Sequence, residues 1–146
     1  AGMGVAHVEG ANGGLHTNYE GKARAAVEGL LHQGYDFAYI HVEAPDEMGH
    51  QGSVEKKVQA IEYLDDRVIR PVVEAMDQSG EDYRLLILPD HPTPIRVRTH
   101  TADNVPYLLY DSRKDLQSDR GYHEEEAAGG PFVEQGYELI NILFSE

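Results

Sequence analysis

Apolar residues along the chain fall into short continuous runs that alternate with stretches spaced by three and four. Val5 to Val8 is a brief apolar run closed by Gly10, with Gly13 and Gly14 beyond, and predicts a strand and loop. Thr17 followed by Glu20 is a capping-box pattern, and Ala23, Ala26, Val27, Leu30 and Leu31 then repeat at helical spacing until Gly34. Tyr35 to Val42, dense in aromatic and β-branched residues, predicts a buried strand. Ser53 is placed to cap the strongest helix of the chain. Val54, Val58, Ile61, Leu64, Val68, Val72 and Met76 form one apolar stripe there, with Pro71 expected to kink or split it and Gly80 to end it.

Tyr83 to Leu88 and Val105 to Tyr110 read as two further strands, the first of them buried. From Ser112 to Gly130 the sequence is polar and reads mostly as loop. Pro131 suits the first turn of a last helix that includes Val133, Leu139, Ile140 and Leu143. The order strand, helix, strand, helix, strand, strand, helix predicts an α/β fold with a mainly parallel sheet flanked by helices. No internal repeat or low-complexity linker interrupts it, so residues 1–146 read as a single unit, long enough to bury an ordinary core.

Composition narrows the function. There is no cysteine, which removes disulfides and thiolate metal sites and fits a cytoplasmic location. Twelve Lys and Arg stand against 26 Asp and Glu, a formal net charge of −14. Nucleic acid and anionic membrane surfaces require a positive face, and a chain this acidic is a poor candidate for either. No apolar run is long enough to span a membrane, and no basic-then-apolar leader opens the sequence. Eight histidines remain, and without cysteine the metal ligands on offer are imidazole and carboxylate.

In an open parallel sheet, ligands gather beyond the carboxyl ends of the strands. The second predicted strand leads into His41-Val42-Glu43-Ala44-Pro45-Asp46-Glu47-Met48-Gly49-His50, and the third into Pro89-Asp90-His91-Pro92-Thr93-Pro94. Arg98-Thr99-His100-Thr101-Ala102-Asp103 comes soon after, just ahead of the fourth. Asp46 and His50 are four apart, which puts both on one face if the turn between them is helical. With His100 they supply two imidazoles and one carboxylate, a divalent-metal set with open positions. Asp90 and His91 offer part of a second site, and two metals close together can clamp the attacking and leaving oxygens of a phosphoryl transfer. Each residue has a plainer reading as loop polarity. Arg96 and Arg98 read as alternating along an edge strand, His41 as a hydrogen-bonded strand-end histidine, Asp103 as a loop former, and Glu124 to Glu126 as a solvated face.

HVEAPDEMGH, LPDHPTPIRVRTHTADNVP and the run on to YLL resemble the archaeal-type, cofactor-independent phosphoglycerate mutases of the alkaline phosphatase superfamily. GANGGLHTNYEGKARAA and GYHEEEAAGGPFVEQGYELI extend the likeness over nearly the whole chain. The resemblance implies that Asp46, His50 and His100 hold one metal, manganese or zinc, that Asp90 and His91 bind a second, and that Lys22 lies near the nucleophile and phosphate. No organic cofactor is implied. It also implies a phosphoserine intermediate in the interconversion of 3- and 2-phosphoglycerate. The family's N-terminal aspartate and nucleophilic serine are not matched by Ser53, Ser79, Ser112, Ser118 or Ser145. The chain resembles the C-terminal half of the family's core only and is expected to be inactive alone, with self-association through an exposed core edge as a further expectation. Two other readings stay open: another two-metal enzyme of the superfamily, such as a phosphopentomutase or a phosphonate or phosphate-ester hydrolase, and a non-catalytic acidic metal-binding module.

Overall fold

Asn18 rather than Thr17 opens the first helix of the computed structural model, which describes residues 3–114 and 118–145. The Asn18 side chain accepts from the Gly21 N–H at 2.8 Å. Thr17 is buried, and its hydroxyl accepts from the Asn12 N–H at 2.9 Å, which closes the preceding loop. With Thr17 so engaged, the next residue takes over the cap, and asparagine serves there at least as well. Helix α1 spans Tyr19–His32, α2 Ala44–His50, α3 Val54–Leu64 and α4 Arg70–Ser79, with a π-helical segment at Asp65–Ile69 between the last two.

Ser53 caps α3 as its position implies, and Gly80 ends α4 in the left-handed region at φ +74°. Pro71 splits the long helix. It has no N–H for the carbonyl four residues back, and its ring would press on that carbonyl in a regular α-helix. The π segment widens the turn instead, and the Arg70 N–H reaches the Asp65 carbonyl, five residues back. Relative to a continuous α-helix, one absorbed residue rotates the downstream helix by about 100°. The apolar stripe therefore divides. Val68, Val72 and Met76 are buried, whereas Val54, Val58 and Ile61 are exposed. α1 packs on the π segment and α4. There Tyr19, fully buried, meets the ring of Tyr63 edge-on at 5.8 Å and donates to the Leu15 carbonyl at 3.0 Å. The Arg67 guanidinium covers the Tyr63 ring at 3.7 Å.

The chain divides into two compact units, Ala1–Glu81 with Thr93–His100, and Asp82–Pro92 with Thr101–Glu146. In the second, β1 (Arg84–Ile87) pairs antiparallel with β2 (Leu108–Asp111), placing Arg84 opposite Asp111 and Ile87 opposite Leu108. The fold is α/β, but this two-stranded antiparallel ladder is the one sheet among the described residues, in place of the mainly parallel sheet expected. Val5 to Val8 and Tyr35 to Val42 form no ladder, and Tyr35 and Tyr39 are 57% and 65% exposed rather than buried. β-branched and aromatic composition suits a strand, but a strand also needs a neighbour offering backbone donors and acceptors. The last helix also starts later than Pro131. A short α5 (Glu124–Ala127) and a 3-10 turn at Gly136–Glu138 precede α6 (Leu139–Phe144), which buries Leu139.

Asp111 anchors the second unit. It is 5% exposed and accepts from Arg113 Nε and Nη2 at 2.9 and 2.8 Å, from the Arg113 N–H at 3.1 Å and from Arg84 Nε at 2.9 Å. Arg84 also donates to the Leu143 carbonyl at 3.0 Å, which ties α6 to the ladder. The Arg113 guanidinium, against some cost of burial, and with Arg84 beside it holds the Asp111 carboxyl well below the usual carboxylate range. A depressed folded-state pKa stabilises fully above the unfolded value of about 3.9, and that stabilisation is lost as pH falls through the folded value. Asp111→Asn is therefore expected to lower stability at neutral pH and to flatten the decline below about pH 4. Denaturant melts across that range check it, and a parallel acid decline in the variant and its parent would count against it.

Candidate metal centre

The ligand face of α2 is built by what its other face buries. Pro45 sits in the first turn, where its missing N–H costs nothing, and Ala44, Met48 and Gly49 are buried. Asp46 and His50 then share the opposite side, one turn apart, each partly exposed. Gly49 brings the Thr93–His100 segment close. A Cβ there would lie 2.6 Å from the Thr93 carbonyl oxygen, so a glycine is what the approach permits.

That segment is a turn, and it replaces the edge strand expected at Arg96 and Arg98. The N–H groups of Val97 and Arg98 both donate to the Pro94 carbonyl at 2.9 Å, and Arg98 takes a left-handed φ of +58°. For a residue with a Cβ this conformation costs about 1–2 kcal/mol. It brings the Arg98 carbonyl to 3.0 Å from His50 Nδ1. A carbonyl only accepts, so Nδ1 carries the proton and Nε2 of the neutral ring keeps its lone pair. An oriented imidazole of this kind is what a metal-ligating histidine ordinarily shows.

Three side chains converge, the two imidazoles facing different oxygens of one carboxylate. His50 Nε2 lies 3.1 Å from His100 Nε2 and 3.4 Å from Asp46 Oδ2, and His100 Nε2 lies 3.4 Å from Asp46 Oδ1. Ligand atoms bonded at about 2.1 Å stand about 3.0 Å apart in octahedral and about 3.4 Å apart in tetrahedral geometry. Each observed separation falls in that interval, and two imidazoles with a carboxylate are a suitable donor set for Zn2+ or Mn2+. The spacing and the donor chemistry therefore fit a divalent ion.

Each of the remaining sequence candidates has a partner of its own. Asp90 and His91 follow β1 in the second unit, where His91 Nε2 is 3.5 Å from Asp90 Oδ2 and the His91 N–H donates to Asp90 Oδ1 at 3.1 Å. Lys22, on α1, donates to the His41 carbonyl at 2.6 Å. His41 itself lies 3.5 Å from Glu43 and stacks on Tyr39. Asp103 accepts from the Thr101 hydroxyl at 2.7 Å, consistent with a loop-forming role. Sequence reasoning passed over Thr93 and Lys57. Thr93 is 4% exposed and its hydroxyl donates to Asp46 Oδ1, while Lys57 Nζ donates to the Thr93 carbonyl at 2.7 Å. The one available signal was a threonine held between Pro92 and Pro94 beside predicted ligands.

The sequence pattern of the Metalloenzyme superfamily matches residues 1–142. A Methanosarcina mazei protein named 2,3-bisphosphoglycerate-independent phosphoglycerate mutase is 46% identical over 145 residues, covering 98% of this chain and 36% of the relative. One from Geobacter sulfurreducens, named as a probable enzyme of that type, has the same identity and coverage. A solved Pyrococcus horikoshii protein superposes with a TM-score of 0.78 at 30% identity, covering 97% of this chain and 42% of its own. The chain thus spans a little over a third of the length of the curated relatives it matches.

Proposed function

Because the chain belongs to the Metalloenzyme superfamily, we propose that it is the C-terminal, metal-binding portion of a phosphoglycerate mutase. In this reading Asp46, His50 and His100 hold one divalent ion, Mn2+ or Zn2+, Asp90 and His91 contribute to a second, and Lys22 serves the phosphate. The observation that carries the reading is the convergence of Asp46, His50 and His100 in the first unit, together with the Arg98 carbonyl that orients His50. Relatives named as phosphoglycerate mutases at 46% identity support 3- and 2-phosphoglycerate as the substrates of the longer protein. Bound divalent ions would supply Lewis-acid polarisation and charge neutralisation at a phosphoryl group.

The nucleophilic serine of that chemistry lies outside this chain. All five serines here are engaged with the backbone: Ser53 accepts from Lys56, Ser112 from Tyr83 and Ser118 from Arg120, while Ser79 and Ser145 donate to carbonyls three residues back. In this reading the chain alone binds metal without turning over phosphoglycerate. The same reading makes residues 1–146 one part of a single phosphatase-like core, whose parallel sheet gains its partner strands in the longer protein. It also makes the exposed face of Val54, Val58 and Ile61 a route to self-association. A cytoplasmic setting accords with a glycolytic role; no helix among the described residues is long and apolar enough to cross a membrane.

Calorimetric titration with Mn2+ and Zn2+ tests the reading. The parent chain is expected to bind, and His100→Ala to lose measurable binding while keeping its helical content. Equal binding by the two would sink the assignment of His100, and no binding by the parent would sink the site.

A further inference from the structure

The Asp46 carboxylate is held by a residue outside the trio of Asp46, His50 and His100. We propose that Thr93 is a positioning residue for the metal centre, setting the rotation of the Asp46 carboxylate through its hydroxyl while Lys57 and Gly49 fix Thr93 in place. This rests on the metal-binding reading above and deepens it.

An ionised carboxylate only accepts, so the Thr93 hydroxyl must be the donor to Oδ1. The terminal torsion of an aspartate is broad and leaves the plane of its oxygens loosely set. One hydrogen bond to Oδ1 removes that freedom, and the plane so fixed presents Oδ2 to His50 Nε2 and Oδ1 to His100 Nε2, both at 3.4 Å. Thr93 is itself immobilised. It is 4% exposed, lies between two prolines, and has its carbonyl bound by Lys57 Nζ at 2.7 Å. Its methyl group and carbonyl both press on the place where Gly49 has no side chain. The clamp thus joins α2, α3 and the Thr93–His100 segment of the first unit, and it engages one of the three ligands directly.

Threonine to valine keeps the shape and removes the hydroxyl; threonine to serine keeps the hydroxyl. Thr93→Val is expected to weaken Mn2+ and Zn2+ binding in calorimetry by roughly 10–100-fold, the usual effect of losing a partner that orients a ligand. Thr93→Ser is expected to remain close to the parent, with metal-free melting temperatures of the two variants alike. Lys57→Met, which leaves the hydroxyl intact, is expected to show a smaller loss of roughly tenfold at most, and it keeps the test open should Thr93→Val fold poorly. A parent that binds metal with Thr93→Val binding equally well overturns the proposal and leaves the metal site standing. Serine failing along with valine overturns it too, since the hydroxyl would then not be the cause. A parent that binds no metal overturns both.

Discussion

Gly49→Ala is expected to destabilise the chain and to weaken its metal binding, against the ordinary direction of that substitution. In an exposed helix interior, alanine for glycine stabilises by about 0.5–1 kcal/mol. At position 49 the new Cβ would stand 2.6 Å from the Thr93 carbonyl oxygen and 3.0 Å from both Thr93 Cγ2 and Lys57 Nζ. The nearest atom is backbone and has no rotamer by which to escape. Relief must come from parting α2 and the Thr93 segment, and overpacking of this kind costs about 1–3 kcal/mol, more than the propensity returns. A melting temperature lower by roughly 2–4 °C for each kcal/mol is the expected size in a chain of this length. Parting the two segments also moves His100 and the Thr93 hydroxyl away from Asp46, so titration should show weaker binding as well. A higher melting temperature with unchanged metal affinity would show the approach to be slack.

Tyr19→Ala should have the largest effect on stability alone. Tyr19 is the largest fully buried side chain among the described residues, with its ring against Tyr63 and its hydroxyl on the Leu15 carbonyl. Truncating an aromatic in such a site costs about 3–5 kcal/mol, against a typical total of about 5–15. Tyr19→Phe keeps the ring and loses one hydrogen bond, for about 1 kcal/mol. Burial, partly offset by the Arg67 guanidinium, raises the Tyr19 pKa, so the hydroxyl remains a donor beyond the ordinary tyrosine range. Urea melts of the two variants separate the terms: near-equal losses would mean that the hydrogen bond, and not the packing, holds the loop to α1.

The sequence disclosed those parts of the site that depend on local spacing. Asp46 and His50 are a helical turn apart, and only a helix was needed to align them. His100 was within reach of inference because its run resembles a ligand motif, although its nearness to α2 depends on the turn at Pro94. That turn was hidden, because Arg96 and Arg98 alternate in the manner of a strand and nothing local announces a left-handed arginine. Thr93 escaped for a related reason: its role is set by Asp46, 47 positions away. In the fold, β1 lay within its predicted run and β2 overlapped its own, running on to Asp111, whereas Tyr35 to Val42 had a strand's composition without a partner. Whether such a run pairs is decided by the rest of the protein, not by the run.

The π segment at Asp65–Ile69 has one more consequence. As a screw thread, the long helix skips a notch of about 100° in its middle, the angle of a single residue. One evenly spaced row of apolar side chains thereby serves two surfaces: the half before the notch looks outward, and the half after it faces the interior. Along such a thread a residue's meaning is set by its count from the notch and not by its distance from either end. Gain or loss of one residue in this stretch is thus a change of direction, measured in degrees, before it is a change of length.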